Sequence, residues 1–140
     1  MILSLPWIMV SFLFYNGIVV YAGFEKSEIA NILDKTELFS ISLISGESFT
    51  VTVGTFVLIT ALVALFVEIL KATQTRSLAI LDHGLSVVVF IVCLIEFLTV
   101  RGAATSVFFF ITLLALIDVV AGFSVGIRAA RRDFNIPSAS

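Results

Sequence analysis

Four long apolar stretches dominate the hydrophobic pattern of the chain. Each contains the roughly 20 predominantly apolar residues that a helix needs to cross a bilayer. A soluble protein of this length would have no amphipathic shell left to cover four such stretches. The pattern therefore predicts four transmembrane helices, at about 2–24, 51–72, 78–100 and 104–127.

The links between these stretches predict how the helices are arranged. The second and third links are very short, so we expect consecutive helices to be antiparallel neighbours in an up-down bundle. The first link is longer, and at about 28–39 it places Ile29, Ile32 and Leu33 on one helical side. This pattern predicts a short interfacial helix, followed by an irregular or briefly extended piece. We thus expect one all-α membrane domain, a four-transmembrane-helix up-down bundle that ends in a polar tail at 128–140.

The first stretch has an alternative interpretation as a signal peptide, because Val20 and Ala22 fit a cleavage site after Ala22. However, the start of the chain carries no lysine or arginine, and the apolar stretch exceeds the roughly 7–15 residues of a signal-peptide core. We therefore expect the stretch to be retained as a helix, with Trp7 as an anchor at the membrane interface.

The amino-acid composition supports a membrane protein and limits the classes of partner that we expect for it. The chain is 60% hydrophobic and 13% charged, whereas soluble domains carry roughly 25% charged residues. Its net charge of −2 provides no basic field to attract nucleic acid. The single cysteine cannot form an internal disulfide, and no cysteine–histidine cluster is present to hold a metal or haem. We expect the lipid bilayer as a partner, and no nucleic acid, cofactor or metal.

Basic residues predict the orientation of the chain in the membrane. With four spans, both termini lie on the same side, which carries Lys71, Arg76, Arg128, Arg131 and Arg132. The opposite side carries Lys26, Lys35 and Arg101. The positive-inside rule then places both termini in the cytoplasm. Short loops and an apolar composition suit a bacterial inner membrane.

Asp118 is the polar residue that the pattern places deepest in the membrane, about 15 Å along the helix from Arg128. Steps of four residues from Asp118 lead to Gly122 and Gly126, and small residues at this spacing allow close helix packing in lipid. Because burial penalises the charged form of a carboxyl group, we expect Asp118 to be largely protonated. Asn16 lies at a comparable depth and is its candidate hydrogen-bond partner.

The other intramembrane acids lie nearer the two faces of the membrane. Glu68 is expected to pair with Lys71, three residues further along the helix. In the third span, one seam of residues spaced by four and three contains Asp82, Ser86, Val89, Cys93, Glu96 and Val100. The candidates for an ion or proton path are Asp118, Glu68, Asp82, His83 and Glu96.

The chain contains no HExxH motif and no phosphate-binding glycine loop. Residues 122–126, GFSVG, match GxSxG by letter alone, because they lie within a predicted transmembrane helix and not at the strand-to-helix turn that this motif requires. We therefore expect no enzyme. The leading hypothesis is a small accessory or scaffold subunit of a membrane assembly, which contacts a membrane-protein partner or forms a homo-oligomer through the fourth span. The alternative is a proton- or cation-conducting protein, or a transporter of small solutes, that uses Asp118.

Overall fold

The computed structural model describes residues 5–73 and 79–133, which are mostly helical. These residues form five α-helices, one two-stranded antiparallel hairpin and a short 3-10 helix. The elements are α1 (Ile8–Tyr21), α2 (Lys26–Lys35), β1 (Glu37–Ser42), β2 (Ser48–Thr52), α3 (Val53–Ala72), α4 (Ala79–Thr99), the 3-10 helix (Arg101–Ala103) and α5 (Ser106–Asp133).

Three helices are long and apolar enough to cross a membrane, which indicates a membrane protein. They are Val53–Ala72, Leu81–Thr99 and Ser106–Arg128. The apolar helix α1 has only 14 residues, so it is about 21 Å long at 1.5 Å per residue. The hydrocarbon core of a bilayer is about 30 Å thick. Of the first predicted span, at about 2–24, the structure thus has Ile8–Tyr21 as an α-helix, while residues 2–4 lie outside the described residues.

Helix α1 ends before the predicted limit, because two consecutive residues after it adopt the left-handed backbone conformation. Gly23 and Phe24 have φ angles of 61° and 64°. The Phe24 N–H donates to the Val19 carbonyl, which closes the helix in a Schellman-type turn. Glycine adopts the left-handed conformation at little steric cost, because it has no Cβ atom. Phe24 has a Cβ atom, so the same conformation is sterically unfavourable for it. The chain therefore changes direction before α2 begins.

Helix α5 packs against both α3 and α4, while α1 packs against α3 and α5. Among the described residues, α3 and α4 make no extensive contact with each other. This differs from the predicted adjacency of these two helices, because α5 takes the place between them. Gly54 lies against Val107, and Gly102 lies against Val19. The ends of α1 and α4 and the starts of α3 and α5 therefore meet at one end of the bundle, which we call the hairpin end.

Buried apolar side chains fill the bundle from the hairpin end to its middle. Toward the hairpin end, the ring of Phe108 packs against those of Phe12 and Tyr15, with centroids 6.2 and 4.8 Å away. Further along the helices lie Ala61, Cys93, Ile111 and Ala115, which we call the apolar layer. Cys93 and Ser86 are both buried, so the central part of the predicted α4 seam faces the interior.

The link between α1 and α3 differs from its prediction in two respects. The interfacial helix expected at 28–39 spans Lys26–Lys35, and its Ile29 and Leu33 side chains are buried against the hairpin end of the bundle. The piece expected to be irregular or briefly extended is a β-hairpin. Its strands follow from the two-residue alternation of apolar and hydroxyl side chains that begins at Phe39.

The other long helices begin and end close to the predicted limits, with one exception. Helices α3 and α4 nearly coincide with the second and third predicted spans. The Thr52 hydroxyl accepts a hydrogen bond from the Thr55 N–H at 3.3 Å and caps the start of α3. Helix α5 continues to Asp133, so the first part of the predicted tail is helical. Residues 134–140 lie outside the described residues.

Candidate functional site

Buried and half-buried polar side chains gather in two clusters, one on each side of the apolar layer. The Asp118 cluster consists of Glu68, Lys71, His83, Ser86 and Asp118. The Tyr15 cluster lies toward the hairpin end and consists of Tyr15, Asn16, Glu96, Thr105 and the Gly102 carbonyl. Most of the polar residues singled out from the sequence therefore belong to one of these two clusters.

Asp118 of α5 is only 5% exposed and faces α3 and α4. Ser86 of α4, which is also buried, lies beside its carboxyl group. Glu68, His83 and Lys71 lie within electrostatic range of the same carboxyl group. Its Oδ2 atom has no hydrogen-bond partner among the described residues. Asp118 is therefore a buried acid with an incomplete set of hydrogen bonds.

Glu68 joins the end of α3 to the start of α1. Both of its carboxylate oxygens lie 3.1 Å from the Lys71 Nζ, so the expected pair is present. The Trp7 N–H donates to the Glu68 Oε1, and Lys71 donates to the Leu5 carbonyl at 3.2 Å. The first N–H groups of a helix have no partner within the helix and carry partial positive charge. A carboxylate from α3 satisfies one of them in this structure, which the sequence did not reveal.

The two glycines of α5 occupy different surroundings. A Cβ atom at Gly122 would overlap the imidazole of His83, so the absence of a side chain there leaves room for that ring. The imidazole also packs on Phe123, with centroids 5.2 Å apart. Gly126 is exposed, and nothing in the described part of the chain lies within 4 Å of its Cβ position. Gly122 thus accommodates a histidine of α4, whereas the sequence suggested close packing of two backbones along both glycines.

Tyr15 connects α1 to the start of α5. Its side chain is fully buried, and its hydroxyl donates to the Gly102 carbonyl at 2.8 Å. The hydroxyl oxygen lies 2.6 Å from the Thr105 Oγ1. Because the single tyrosine proton is used for Gly102, the Thr105 hydroxyl is the donor in the second bond. The Thr105 Oγ1 also accepts from the Phe108 N–H at 3.2 Å, so one network fixes the first turn of α5.

Asn16 belongs to the Tyr15 cluster. Its Nδ2 donates to the Phe12 carbonyl at 3.1 Å and to the Glu96 Oε2 at 3.3 Å. The expected hydrogen bond to Asp118 is therefore replaced by one to Glu96. The reason is the position of α1: its start lies beside Glu68, and Asn16 lies about 13 Å further along the helix axis, toward the hairpin end.

The five residues proposed for an ion or proton path do not form one group. Glu68 and His83 lie near Asp118, whereas Glu96 lies beyond the apolar layer with Asn16. Asp82 precedes His83 on α4, and its buried Oδ1 has no hydrogen-bond partner among the described residues. Within 5–73 and 79–133, no three His, Cys, Asp or Glu side chains are placed to hold a metal ion.

The outer surface of α3 carries an apolar groove at membrane level. Its lining side chains are Leu62, Val63, Leu65, Phe66 and Ile69. Three of these are more than half exposed within this chain. The groove lies along the middle of a helix that is long and apolar enough to span the membrane.

The Asp118 cluster contains groups that can bind a proton and groups that hold helices together. A carboxyl group, an imidazole and a buried ion pair lie within electrostatic range of one another. Comparisons with models of known families, with curated proteins and with solved structures gave no significant match. The geometry of these residues is therefore the basis for any functional proposal.

Proposed function

We propose that the chain is a small, non-catalytic polytopic membrane protein that serves as an accessory or scaffold subunit of a membrane assembly. The supporting observation is that the buried polar groups connect helices, with a packed apolar layer between the two clusters. Glu68 connects α3 to α1, and Tyr15 connects α1 to the start of α5. Ser86 of α4 lies beside Asp118 of α5. In lipid, such hydrogen bonds hold helices together because little hydrophobic force acts between them.

In this proposal α1 acts as a fourth span, and both termini lie in the cytoplasm of a bacterial cell. The excess of basic residues on the Lys71 side supports this orientation. A cysteine introduced by Ser45→Cys at the hairpin tip should react with an impermeant maleimide in intact cells. A cysteine introduced by Leu5→Cys, before the start of α1, should react only after lysis, while the buried Cys93 serves as the background. Reaction of both positions from the same side would contradict the four-span topology.

The groove on α3 supports contact with a transmembrane helix of a partner. In lipid, helices associate through close packing of apolar surfaces, and a groove at mid-membrane offers such a surface. Gly126 on α5 offers a smaller open surface for a homo-oligomer. We favour the groove because five neighbouring side chains shape it, whereas Gly122 is already covered by His83.

The test is affinity capture from native membranes with two matched variants. Val63→Trp fills the groove, and Leu98→Trp adds the same bulk on the exposed face of α4. We expect a partner recovered in a fixed ratio with the unaltered chain to be lost with Val63→Trp and retained with Leu98→Trp. Equal recovery with both variants, or no partner in a fixed ratio, would contradict the proposal.

A second candidate function is proton or cation conduction, or transport of a small solute, through Asp118. The observation that favours it is the buried Asp118 Oδ2, which has no hydrogen-bond partner among the described residues. Purified protein in vesicles loaded with a pH-sensitive dye should then leak protons, and Asp118→Asn should abolish the leak. Under the accessory proposal, the vesicles stay as tight as empty ones with either chain.

A further inference from the structure

The β1–β2 hairpin has one apolar face and one hydroxyl-bearing face. Its register pairs Phe39 with Val51 and Ile41 with Phe49. Residues opposite each other in an antiparallel pair share a face, so these four side chains lie together. The opposite face carries the paired residues Ser40 and Thr50, and Ser42 and Ser48. The hairpin is thus amphipathic across its thickness.

The rest of the described chain leaves most of the apolar face uncovered. Phe39, Ile41 and Phe49 are each about half exposed, and every residue of β1 is exposed. Leu43 and Ile44 extend the apolar surface to the tip. The segment 38–46 contains no charged residue. A two-stranded hairpin is marginally stable in water by itself, so one with this exposed face needs a surface to cover it.

The base of the hairpin is fixed at the end of a membrane-spanning helix. The Val53 N–H at the start of α3 donates to the Thr36 carbonyl at 3.0 Å. Val51, the last apolar residue of the face, is 3% exposed and anchors the hairpin in the bundle. Strand β2 passes into α3 without a linker. The apolar face therefore begins where the lipid-facing surface of α3 begins.

We propose that the hairpin lies on the membrane surface with Phe39, Ile41, Leu43 and Phe49 inserted among the lipid headgroups and upper acyl chains. The neutral 38–46 segment meets no repulsion from anionic headgroups, and the serine and threonine face remains in water. Membrane insertion covers the apolar face itself. A second copy of the chain that paired with an edge of the hairpin would satisfy the free backbone N–H and C=O groups of that edge, but it would leave the apolar face exposed.

Tryptophan fluorescence can test the proposal, because the chain contains a single tryptophan, Trp7. In a Trp7→Phe background, Ile41→Trp and Phe49→Trp place a probe on the apolar face of each strand. Ser40→Trp and Ser48→Trp are the matched controls on the opposite face. The full-length variants are reconstituted in vesicles of phosphatidylcholine with brominated acyl chains, and circular dichroism verifies their helical content.

We expect brominated lipid to lower the fluorescence of the apolar-face probes at least about twofold, since interfacial segments insert roughly 5–10 Å. Aqueous acrylamide should quench the two control probes more strongly. Equal acrylamide quenching on both faces would overturn the proposal. Protection of Ile41→Trp that appears only as the protein-to-lipid ratio rises would also overturn it and indicate a second copy. Either outcome leaves the accessory and conduction proposals open, because both concern the helices.

Discussion

The Asp118 cluster and the Tyr15 cluster connect largely the same helices by different chemistry. The Tyr15 hydroxyl bonds two neutral groups, the Gly102 carbonyl and the Thr105 hydroxyl. In the Asp118 cluster, Glu68 and Lys71 form an ion pair whose side chains are only 6% and 11% exposed. Loss of a neutral hydrogen bond costs about 0.5–1.5 kcal/mol, whereas a buried charge left without its partner costs several times more. The charged cluster is therefore the more vulnerable one.

The acids of the two clusters differ in burial, although each has one buried carboxylate oxygen without a hydrogen-bond partner among the described residues. Glu96 is half-buried: its Oε2 accepts from Asn16, and its Oε1 is the oxygen without a partner. Asp118 is almost fully buried, and its Oδ2 lacks a partner among the described residues. A half-buried acid can reach headgroups or water, whereas a buried one depends on its neighbours. The arrangement around Asp118 therefore depends on the positions of Glu68, His83 and Ser86.

Among single substitutions in the two clusters, Glu68→Ala should have the largest effect. It leaves the Lys71 ammonium without its carboxylate and the start of α1 without its acceptor. Removing one partner of a buried ion pair costs about 3–5 kcal/mol. Denaturation in detergent, followed by circular dichroism, should show a loss of this size. Glu47→Ala in the exposed hairpin is the control, and an equal, small effect of both variants would contradict the difference between the clusters.

Gly122→Ala should have the next largest effect, because the new methyl group displaces the His83 imidazole from its position against Phe123. Forcing a methyl group into a packed site costs about 1–3 kcal/mol. Gly126→Ala, one turn further along α5, should stay within about 0.5 kcal/mol of the unaltered chain or be stabilising. Combining Gly122→Ala with His83→Ala should recover part of the loss. Equal losses for both glycine variants would mean that the two positions act as one packing stripe.

The sequence predicted the features that depend on apolar periodicity and on helix-end signals. The limits of α3 and α4 lie within two residues of the prediction, because polar residues or turns flank these apolar runs. The hairpin was predicted only as an irregular or briefly extended piece, because its alternation spans only a few residues and follows an amphipathic helix. The sequence does contain the signal, in Phe39–Ser42 and again in Phe49–Thr52.

The partners of the polar residues could be predicted only in part. The Glu68–Lys71 pair follows from spacing within one helix, and the structure contains it. The partner of Asn16 depends on how α1 is placed along the bundle axis, and the expectation that Asn16 lies at the depth of Asp118 was wrong. The contact between the His83 imidazole and Gly122 depends on how α4 and α5 are rotated about their axes, which apolar periodicity alone does not determine.

Tyr15→Phe tests the neutral cluster and should cost less than Glu68→Ala. It removes one hydroxyl and leaves the Gly102 carbonyl and the Thr105 hydroxyl without their shared partner. The expected loss is about 1–2 kcal/mol, because a buried polar group left without its partner costs about 1–3 kcal/mol. Tyr21→Phe, at a position that is 85% exposed, should leave the unfolding midpoint unchanged. If Tyr15→Phe lowered the free energy of unfolding as much as Glu68→Ala does, the neutral and the charged connections would not differ in their contribution to stability.

The smallest expected effect tests whether the two clusters are independent. Asn16→Ala should cost about 0.5–1 kcal/mol, because its bond to Glu96 is long and half-buried. In a double-mutant cycle with Glu96→Gln, the two changes should be non-additive, since the side chains are in contact. In a cycle with Asp118→Asn, the effects should add within about 0.5 kcal/mol, because the apolar layer of Ala61, Cys93, Ile111 and Ala115 separates the two residues. Coupling of Asn16 to Asp118 that equals its coupling to Glu96 would mean that one polar network crosses the bundle, and it would favour the conduction proposal over the accessory one.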